Sequence, residues 1–538
     1  LHMLTDVLGG ATLSPAHKDL PDLPIIVYSA CDVMELAQDF LCERIPSKFS
    51  PKHVFQDICD RLPTKTYQSL KRIEARYLER AKGLNPTDNR THTKLGKQMV
   101  AKMASILERT KFNTHSYCKK HDCECPIDPR VEYPGAMLAE IAGTTCVAWS
   151  AMHKDRTIAK WSHPSTLPCL VWQYWTKQMN PAWWVHECVP SFDSECLKAT
   201  FPSYMVVSHV FCPSDMGLPC TRKRRYSIGI NATTHKVGIF SVEKDDISCA
   251  WGPYNKDEGD GKSMKNFKSA FGKMFTRKII SDANVFLQAS ERMIDHHILT
   301  LAESKGFKTR APDEMFSSSL LRGAHWQRML GYRVLAKERL LAGKRIGNVA
   351  SVNLEQTPAF ARTLSSYAPA LLTKSYLFAF QTATRATMRT KANRIVLPIE
   401  HFCIQSFPIW MGFLGDLYNM GYDNVPSHPT PNPTTVEVLH TRYFPWTLRQ
   451  LMKASDTNIR KLTGNAMNLE AVGTVIALAL AMCGPALDSE AEAPSSSLKR
   501  KVNAGAKIRR NSRNKLKGKR RAQTTALKKR PAYKSTTR

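Results

Sequence analysis

The chain has 538 residues, of which 77 are Lys or Arg and 46 are Asp or Glu, so its formal net charge is +31. A hydrophobic fraction of 43% is enough for a sizeable core and excludes a wholly disordered chain. Because domains average roughly 100–200 residues, the length predicts two to four of them. The charge predicts a polyanionic partner, with nucleic acid the first candidate.

The positive charge is concentrated near the C-terminal end of the chain. Residues 499–538 contain 17 Lys or Arg and no acid, which leaves +14 for the rest. Such a segment cannot form a core, so 485–538 is predicted to be a polar linker and a disordered basic tail. Its clusters of point charges predict non-specific binding to phosphates and import into the nucleus, and a merely solvated tail is the alternative.

No apolar run reaches the roughly 18 residues that a membrane span needs, so we expect no membrane association. The longest run, 471–483, contains Gly473 and Thr474 and predicts a buried helix. No signal peptide is recognised at the start of the sequence. The 15 Cys are scattered without a framework spacing, which favours reduced thiols in an intracellular compartment.

Short apolar runs alternate with helical stretches along the first 230 residues, which predicts a mostly parallel α/β sheet. The predicted strands cover 24–30, 53–58, 141–146, 182–189, 205–211 and 226–230, and the predicted helices cover 35–42 and about 66–109. Ligands of such sheets bind at the carboxyl ends of strands. Four reactive side chains fall at or near these ends: Asp32, Asp57, Cys146 and Glu187.

The character of the sequence changes after residue 230. Residues 231–393 mix Lys, Arg, aromatic residues and irregular turns, as in WGPYNKDEGDGK, and predict a second domain or a large insertion. Residues 394–484 regain helical and buried character. We therefore expect 394–484 to complete the domain that 1–230 begins.

Six segments draw attention by their residue types. The first three are GTTCVAWS at 143–150, HECV at 186–189 and CTRKR at 220–224. The other three are RIVLPIE at 394–400, QSFP at 405–408 and GNAM at 464–467. In this order and spacing they resemble the conserved motifs of the DNA (cytosine-5)-methyltransferase family.

The resemblance can be followed motif by motif over nearly the whole chain up to about residue 484. The family's Pro-Cys loop with its aromatic-Ser ending is matched at 145–150, its Glu-Asn-Val at 187–189, and its Gln-x-Arg-x-Arg at 220–224. Its Arg-x-Leu-Thr-x-x-Glu and Gln-Gly-Phe-Pro are matched at 394–400 and 405–408, and its Gly-Asn-Ala-Val at 464–467. Asp32 resembles the acid that holds the cofactor ribose, and Asp57-Ile58 resembles the pair that meets the adenine.

The resemblance implies a Rossmann-like, S-adenosylmethionine-dependent methyltransferase domain with a separate target-recognition region. Residues 1–230 would form the catalytic domain, completed by 394–484, and 231–393 would recognise the target. The implied cofactor is S-adenosyl-L-methionine, the implied partner is DNA, and no obligate protein partner is inferred. The implied cofactor-binding residues are Asp32, Asp57, Ile58 and Asn465.

The chemistry of the reaction explains the implied catalytic residues. Carbon 5 of cytosine is a poor nucleophile, and a thiolate that adds to carbon 6 makes it enamine-like, which assigns Cys146 as the nucleophile. Glu187 can hold N3 and the exocyclic amine as negative charge develops on the ring. Arg222 and Arg224 can orient the base carbonyl and flanking phosphates. The target base must first be flipped out of the duplex.

Several positions depart from the family pattern and keep other functions open. The Gly-rich first loop is poorly matched at 6–10, Thr145 replaces Pro, and Cys188 and Cys220 replace Asn and Gln. These changes alter the supporting residues and leave the acid and the nucleophile in place. A catalytically inactive DNA-binding or regulatory relative and an RNA cytosine-5 methyltransferase are therefore the alternatives.

One Cys/His cluster lies between the Asp57 and Cys146 segments. Cys118, His121, Cys123 and Cys125 have the residue types that suit zinc, but their spacing is tighter than in usual structural zinc sites. A thiol-rich surface loop is the alternative. No metal ligand is therefore assigned from the sequence.

Overall fold

The computed structural model describes 26–44, 50–85, 88–144, 147–150, 160–243, 246–254, 256–279, 281–307, 320–344, 346–360, 364, 366–382, 393–407 and 454–487. Thr145, Cys146, Pro408, the segment 6–10 and the predicted basic tail lie outside these residues. The secondary structure, packing and contacts given below concern only these described residues.

The secondary structure mixes short strands with helices. The strands are β1 (Ser29–Cys31), β2 (His53–Phe55), β3 (His115–Cys118), β4 (Cys123–Pro126), β5 (Ala139–Gly143), β6 (Trp183–Cys188), β7 (Tyr204–Phe211), β8 (Arg224–Asn231), β9 (His235–Val242), β10 (Ile247–Gly252), β11 (Val349–Asn353), β12 (Leu377–Gln381), β13 (Arg394–Ile395) and β14 (Cys483–Ala486). The helices are α1 (Glu35–Asp39), α2 (Thr64–Lys82), α3 (Asn89–Leu107), α4 (Thr166–Met179), α5 (Glu195–Thr200), α6 (Lys256–Phe275), α7 (Glu291–Ser304), α8 (Gly323–Leu341), α9 (His401–Ile404), α10 (Asp456–Asn465) and α11 (Leu469–Met482).

The first sheet has the order β1-β2-β3-β4. β1 and β2 are parallel, with Ser29 opposite His53, and α1 lies in the connection between them. β3 and β4 form an antiparallel hairpin that joins β2. The strand predicted at 24–30 is seen at Ser29–Cys31 within the described residues. The strand predicted at 53–58 ends at Phe55, because Asp57 caps a 3-10 helix, Ile58–Arg61, where the strand was expected to continue.

The second sheet has the order β5-β6-β8-β7. β5 and β6 are parallel as predicted, whereas β8 is antiparallel to both β6 and β7. The prediction of a mostly parallel sheet is wrong for β8. Parallel strands need a crossover connection, usually a helix, but between β7 and β8 the chain has only the short 3-10 turn Pro213–Asp215 and returns antiparallel.

Helix α11 packs its apolar side chains on this sheet. Val475, Leu478 and Met482 are buried in one cluster with β6–β8 residues such as Val185 and Ile228. The buried helix predicted at 471–483 is thus confirmed. The stretch Asp456–Met482 is long and apolar enough to span a membrane, but it is divided into α10 and α11, and this cluster is the packing of a core helix.

Residues on both sides of the predicted boundary at 231 share a core. Phe271 of α6 packs on Phe211 of β7, with ring centroids 4.4 Å apart, and β14 pairs with β9. A further sheet, β11-β12-β13, joins residues 349–381 to Arg394–Ile395. The functional division into 1–230, 231–393 and 394–484 stays a prediction.

Candidate active site

Glu187 lies near the carboxyl end of β6, where it is 7% exposed. Its Oε1 atom is 2.9 Å from Nε of Arg224, the first residue of β8. The sheet register explains this contact, because Glu187 is opposite Tyr226 and side chains two positions apart share a face. Arg224 is therefore the diagonal neighbour of Glu187, and the two form a nearly buried ion pair.

The other oxygen of Glu187 lies beside the end of β5. Gly143 is opposite Glu187 in the parallel register. A Cβ atom on Gly143 would lie 3.6 Å from Oε2 of Glu187 and 2.6 Å from Cε of Met467. Gly143 thus lies between the Glu187 carboxylate and Met467, and its lack of a side chain leaves the space that Met467 occupies.

The loop that carries the predicted nucleophile begins at Gly143. Thr145 and Cys146 lie outside the described residues, so the structure does not report the position of the thiol. The residues before and after them are held in place. Thr144 Oγ1 is hydrogen-bonded to Nε2 of His186 at 2.7 Å, and the Trp149 ring packs against Trp161 with centroids 4.9 Å apart.

His186 is a residue of the site to which the sequence motifs assigned no role. It is buried and stacks on Trp172, with ring centroids 4.9 Å apart. Burial lowers the pKa of His186 to about 3, so the ring is neutral near neutral pH. A neutral imidazole that binds Thr144 positions the start of the nucleophile loop. Its place next to Glu187 in the HECV segment was the available signal.

Arg222 bonds to the backbone of two other segments. Its Nη1 donates to the carbonyl of Leu371 at 3.0 Å, and Nη2 lies 3.4 Å from the carbonyl oxygen of Gly464. A Cβ atom on Gly464 would lie 2.4 Å from the backbone N of Thr373, so this close approach requires glycine. These contacts make Arg222 a positioning residue between CTRKR and GNAM, whereas Arg224 is the arginine that reaches Glu187.

The predicted cofactor residues Asp32 and Asp57 follow neighbouring parallel strands. The Asp32 N–H donates to the carbonyl of Phe55 at 3.3 Å, which brings the two strand ends together. Oδ1 of Asp32 accepts from the N–H of Met34 and Oδ1 of Asp57 from that of Cys59, both at 2.8 Å. Burial raises the pKa of Asp32, and the Met34 N–H opposes this rise.

This pair of acids fits the chemistry of the predicted cofactor. Ribose hydroxyls and an adenine amine are donors, and carboxylates at adjoining strand ends are acceptors placed where such sheets bind ligands. Ile58, the first residue of the 3-10 helix after Asp57, is half-buried. The residues present therefore suit S-adenosylmethionine.

Asn465 and its neighbours form the junction between α10 and α11. Asn465 is exposed and ends α10, so it does not lie in the N-terminal turn of a helix. The helix-capping residue is Asn468, which is 1% exposed. It accepts from the N–H of Ala471 at 3.1 Å and donates to Ser406 Oγ at 3.0 Å. Its position just before the apolar run 469–482 was the signal for this cap.

The segments 394–400 and 405–407 form buried polar contacts that hold neighbouring parts of the site in position. Arg394 and Glu400 form two hydrogen bonds of 2.8 Å at positions that are 2% and 0% exposed. Gln405 donates to the carbonyl of Thr463 at 2.8 Å and so reaches α10. Ser406 has a φ of +63°, a left-handed conformation that favours glycine. The family motif has glycine at this position.

No protein-family model and no curated protein matches this chain. Among solved structures, it is similar to the methyltransferase EhMeth of Entamoeba histolytica, with 9% identity, a TM-score of 0.33, and 85% of this chain and 98% of that chain covered. The Dnmt2 methyltransferase of S. pombe gives 11% identity, a TM-score of 0.29, and coverage of 64% and 77%. A mutant DNMT2 of Spodoptera frugiperda gives 11%, 0.25, and coverage of 65% and 82%.

Proposed function

We propose that this chain is an S-adenosylmethionine-dependent cytosine-5 methyltransferase that acts on DNA in the nucleus. The observation that carries the proposal is that Arg224 contacts the carboxylate of Glu187, with Gly143 beside that carboxylate and Met467 packed on Gly143. The sequence resemblance assigned these residues to separate motifs of one active site. The positive φ of Ser406, where the family motif has glycine, supports the same alignment independently.

The chain's own residues supply most of the mechanism. Cys146 adds as thiolate to carbon 6 of a flipped cytosine, which makes carbon 5 nucleophilic. Glu187 holds N3 and the exocyclic amine, and Arg224 fixes the orientation of Glu187 through their 2.9 Å contact. After carbon 5 is methylated it loses its proton, and the thiolate leaves carbon 6.

S-adenosylmethionine, when bound, supplies the methyl group. Asp32 would accept from the ribose hydroxyls, while Asp57 and Ile58 would meet the adenine. Asn465, exposed at the end of α10, would contact the cofactor from the GNAM segment. The basic segment 499–538 would add contacts to DNA phosphates, and membrane association is not part of the proposal.

The test uses a substrate that stops the reaction at the covalent stage. Duplex DNA that contains 5-fluorocytosine should trap the wild-type protein in the presence of S-adenosylmethionine, because fluorine cannot leave as a proton. Cys146→Ala should abolish the adduct, and Cys249→Ser, a half-buried thiol on β10, should leave it unchanged. An adduct that persists in Cys146→Ala would assign the nucleophile to another thiol.

The same assay separates the alternatives. Fluorocytosine-containing tRNA and duplex DNA are offered side by side, with 5-methylcytosine measured by mass spectrometry on unmodified substrates. Adducts with tRNA alone would make RNA the substrate. Binding of duplex DNA with no adduct and no 5-methylcytosine on either substrate would favour the inactive relative.

A further inference from the structure

Four side chains converge on one point beside the first sheet, outside the proposed active site. They are His53 at the start of β2, Cys118 at the end of β3, His121 in the β3–β4 turn and Cys125 on β4. One ligand atom from each lies within 4.8 Å of all the others. His53, Cys118 and Cys125 are buried.

Two of the distances among these atoms are close to those of a tetrahedral metal site. Sγ of Cys118 is 3.6 Å from Nδ1 of His121, and that nitrogen is 3.2 Å from Sγ of Cys125. Zinc bonds of about 2.3 Å to sulfur and about 2.0–2.1 Å to nitrogen would place tetrahedral ligand atoms roughly 3.3–3.8 Å apart. Since all four ligand atoms lie within 4.8 Å of one another, movements of about 1 Å would let them share one ion.

His53 supplies an independent indication of a ligand. Its Nε2 is 3.0 Å from Oε1 of Glu132, whereas its buried Nδ1 has no hydrogen-bond partner among the described residues. A histidine that ligates zinc typically donates its other N–H to a carboxylate, which fixes the ring. The Tyr28 hydroxyl also donates to Glu132, at 3.3 Å, and helps to hold that carboxylate in position.

We propose that His53, Cys118, His121 and Cys125 bind one structural zinc ion. This set differs from the four residues that the sequence put forward, because His53 belongs to the converging group and Cys123 does not. His53 lies far from the cluster in sequence, and only the pairing of β2 with β3 brings it there. The donor set of two sulfurs and two nitrogens is typical of closed structural zinc sites.

The ion would fasten the β3–β4 hairpin to β2. Phe55 and Cys118 are the one partner pair in the described register between β2 and β3, so backbone pairing there is limited. Val54 N–H donates to Sγ of Cys118 at 3.4 Å, which suits a thiolate ligand. Zinc would add a link from His53 to three residues of the hairpin.

The experiment measures zinc in the full chain, purified without chelator from zinc-supplemented medium. We expect about one zinc per chain in the wild type, because the four ligands close one site. Each of Cys118→Ser, Cys125→Ser and His53→Ala should lose it. The matched controls are Cys123→Ser and His115→Ala, exposed neighbours on the same hairpin, which should keep it.

A second measurement does not depend on the folding of the ligand variants. In the wild type, adding Co²⁺ after zinc removal should give the visible absorption of a tetrahedral site with thiolate ligands. Glu132→Gln should weaken zinc binding by about 10- to 100-fold, whereas the exposed Glu124→Gln should not. Absence of both stoichiometric zinc and a tetrahedral cobalt spectrum would overturn the site. Zinc loss in Cys123→Ser with retention in His53→Ala would replace it by the set that the sequence put forward.

Discussion

Nε of Arg224 lies 2.9 Å from Oε1 of Glu187, and the two side chains, taken without their backbone, are 14% and 10% exposed. Removal of the arginine leaves a nearly buried carboxylate without its cation. We expect Arg224→Ala to lower the free energy of unfolding by about 2–4 kcal/mol. This is slightly less than the roughly 3–5 kcal/mol lost when one partner of a fully buried pair is removed. Urea denaturation of the single variants and of Arg224→Ala/Glu187→Gln measures this.

The double-mutant cycle isolates the interaction energy between Arg224 and Glu187 from their contacts with other residues. Contacting residues typically show a coupling of about 0.5–3 kcal/mol, and we expect a value in the upper part of this range. Arg225→Ala is the matched control, since that guanidinium donates to the carbonyl of Pro190 instead. Additive single effects at Arg224 and Glu187 would mean that the contact does not contribute to stability.

A second prediction concerns the acids proposed to hold the cofactor. Because Asp32 and Asp57 also accept backbone N–H groups, alanine would disturb the loops as well as the ligand site. Asparagine keeps an acceptor for the backbone and removes the charge. Loss of a charge-assisted hydrogen bond costs about 1.5–3 kcal/mol, so each Asn variant should bind S-adenosylmethionine about 10- to 100-fold more weakly.

Isothermal titration calorimetry measures this affinity, and thermal unfolding checks that the fold is intact. The control is Asp88→Asn, because Asp88 caps α3 through the N–H of Thr91 and plays no part in the proposed site. Unchanged affinity in both Asp32→Asn and Asp57→Asn would remove these strand ends from the proposed cofactor site.

These acids show how far the sequence predicts the site. β1, β2, β5 and β6 are recognisable from short apolar runs, and a residue after such a run belongs to the carboxyl edge of the sheet. That reasoning located Asp32, Asp57 and Glu187. It could not predict that each aspartate also accepts a backbone N–H from the following turn, because that bond depends on how the chain turns after the strand.

The contacts that the sequence did not predict depend on register and long-range pairing. Arg224 is diagonal to Glu187 only because β8 returns antiparallel between β6 and β7. Arg222 and Arg224 are equivalent in the CTRKR motif, yet one binds backbone carbonyls and the other a carboxylate. His53 reaches Cys118 through the β2–β3 pairing, which no local pattern contains.

A third prediction concerns the buried ion pair of Arg394 and Glu400. Glu400 also accepts the N–H groups of Ala289 at 3.0 Å and Leu397 at 2.9 Å. Arg394→Ala should lower the free energy of unfolding by about 3–5 kcal/mol, because it leaves the buried Glu400 carboxylate without its cation. The two backbone N–H groups compensate only part of that charge. Glu400→Gln should cost less than Arg394→Ala, because the amide oxygen can still accept a backbone N–H.

Urea denaturation at neutral pH compares these two variants with Arg460→Ala and with wild type. Arg460 lies 3.6 Å from Asp456, whose side chain is 42% exposed, so that pair should contribute only about 0–1 kcal/mol. A cost for Arg394→Ala no larger than that for Arg460→Ala would contradict the bracing role.

A fourth prediction concerns the pH dependence that His186 gives to stability. Its pKa falls from 6.5 in the unfolded reference to about 3 in the fold, because burial disfavours the charged ring. The unfolded chain therefore binds more protons below pH 6.5, and stability falls as the pH drops toward 3. At 1.36 kcal/mol per unit, His186 should contribute a loss of about 2 kcal/mol between pH 6.5 and pH 5.

His186→Gln should remove this contribution and keep a polar group near Thr144. The free energy of unfolding is measured from pH 7.5 to pH 5 for both proteins. His401, whose pKa burial also lowers to about 3, is present in both and so cancels in the difference. Parallel pH profiles for wild type and His186→Gln would show that the imidazole titrates normally in the fold.

A fifth prediction concerns the basic segment 499–538, which lies outside the described residues. It carries 17 Lys or Arg, no acid and a single aromatic residue, Tyr533, so it has many partners for phosphates and few side chains that could read bases. Deleting it should weaken binding to all duplexes alike. The slope of the logarithm of the binding constant against the logarithm of the salt concentration should become less negative. The change should be about 0.9 for each phosphate that the truncated protein no longer neutralises.

Salt titrations of the full and truncated chains on two unrelated duplexes test this expectation, with localisation of both proteins scored in parallel. The preference between the duplexes should survive truncation, because the sequence resemblance predicts that 231–393 recognises the target. Nuclear accumulation should fall, because KIRRNSRNKLKGKRR resembles a bipartite import signal. Truncation that changes the preferred duplex and leaves the salt slope unchanged would instead make the segment a sequence-specific reader, since phosphate contacts alone cannot select between duplexes.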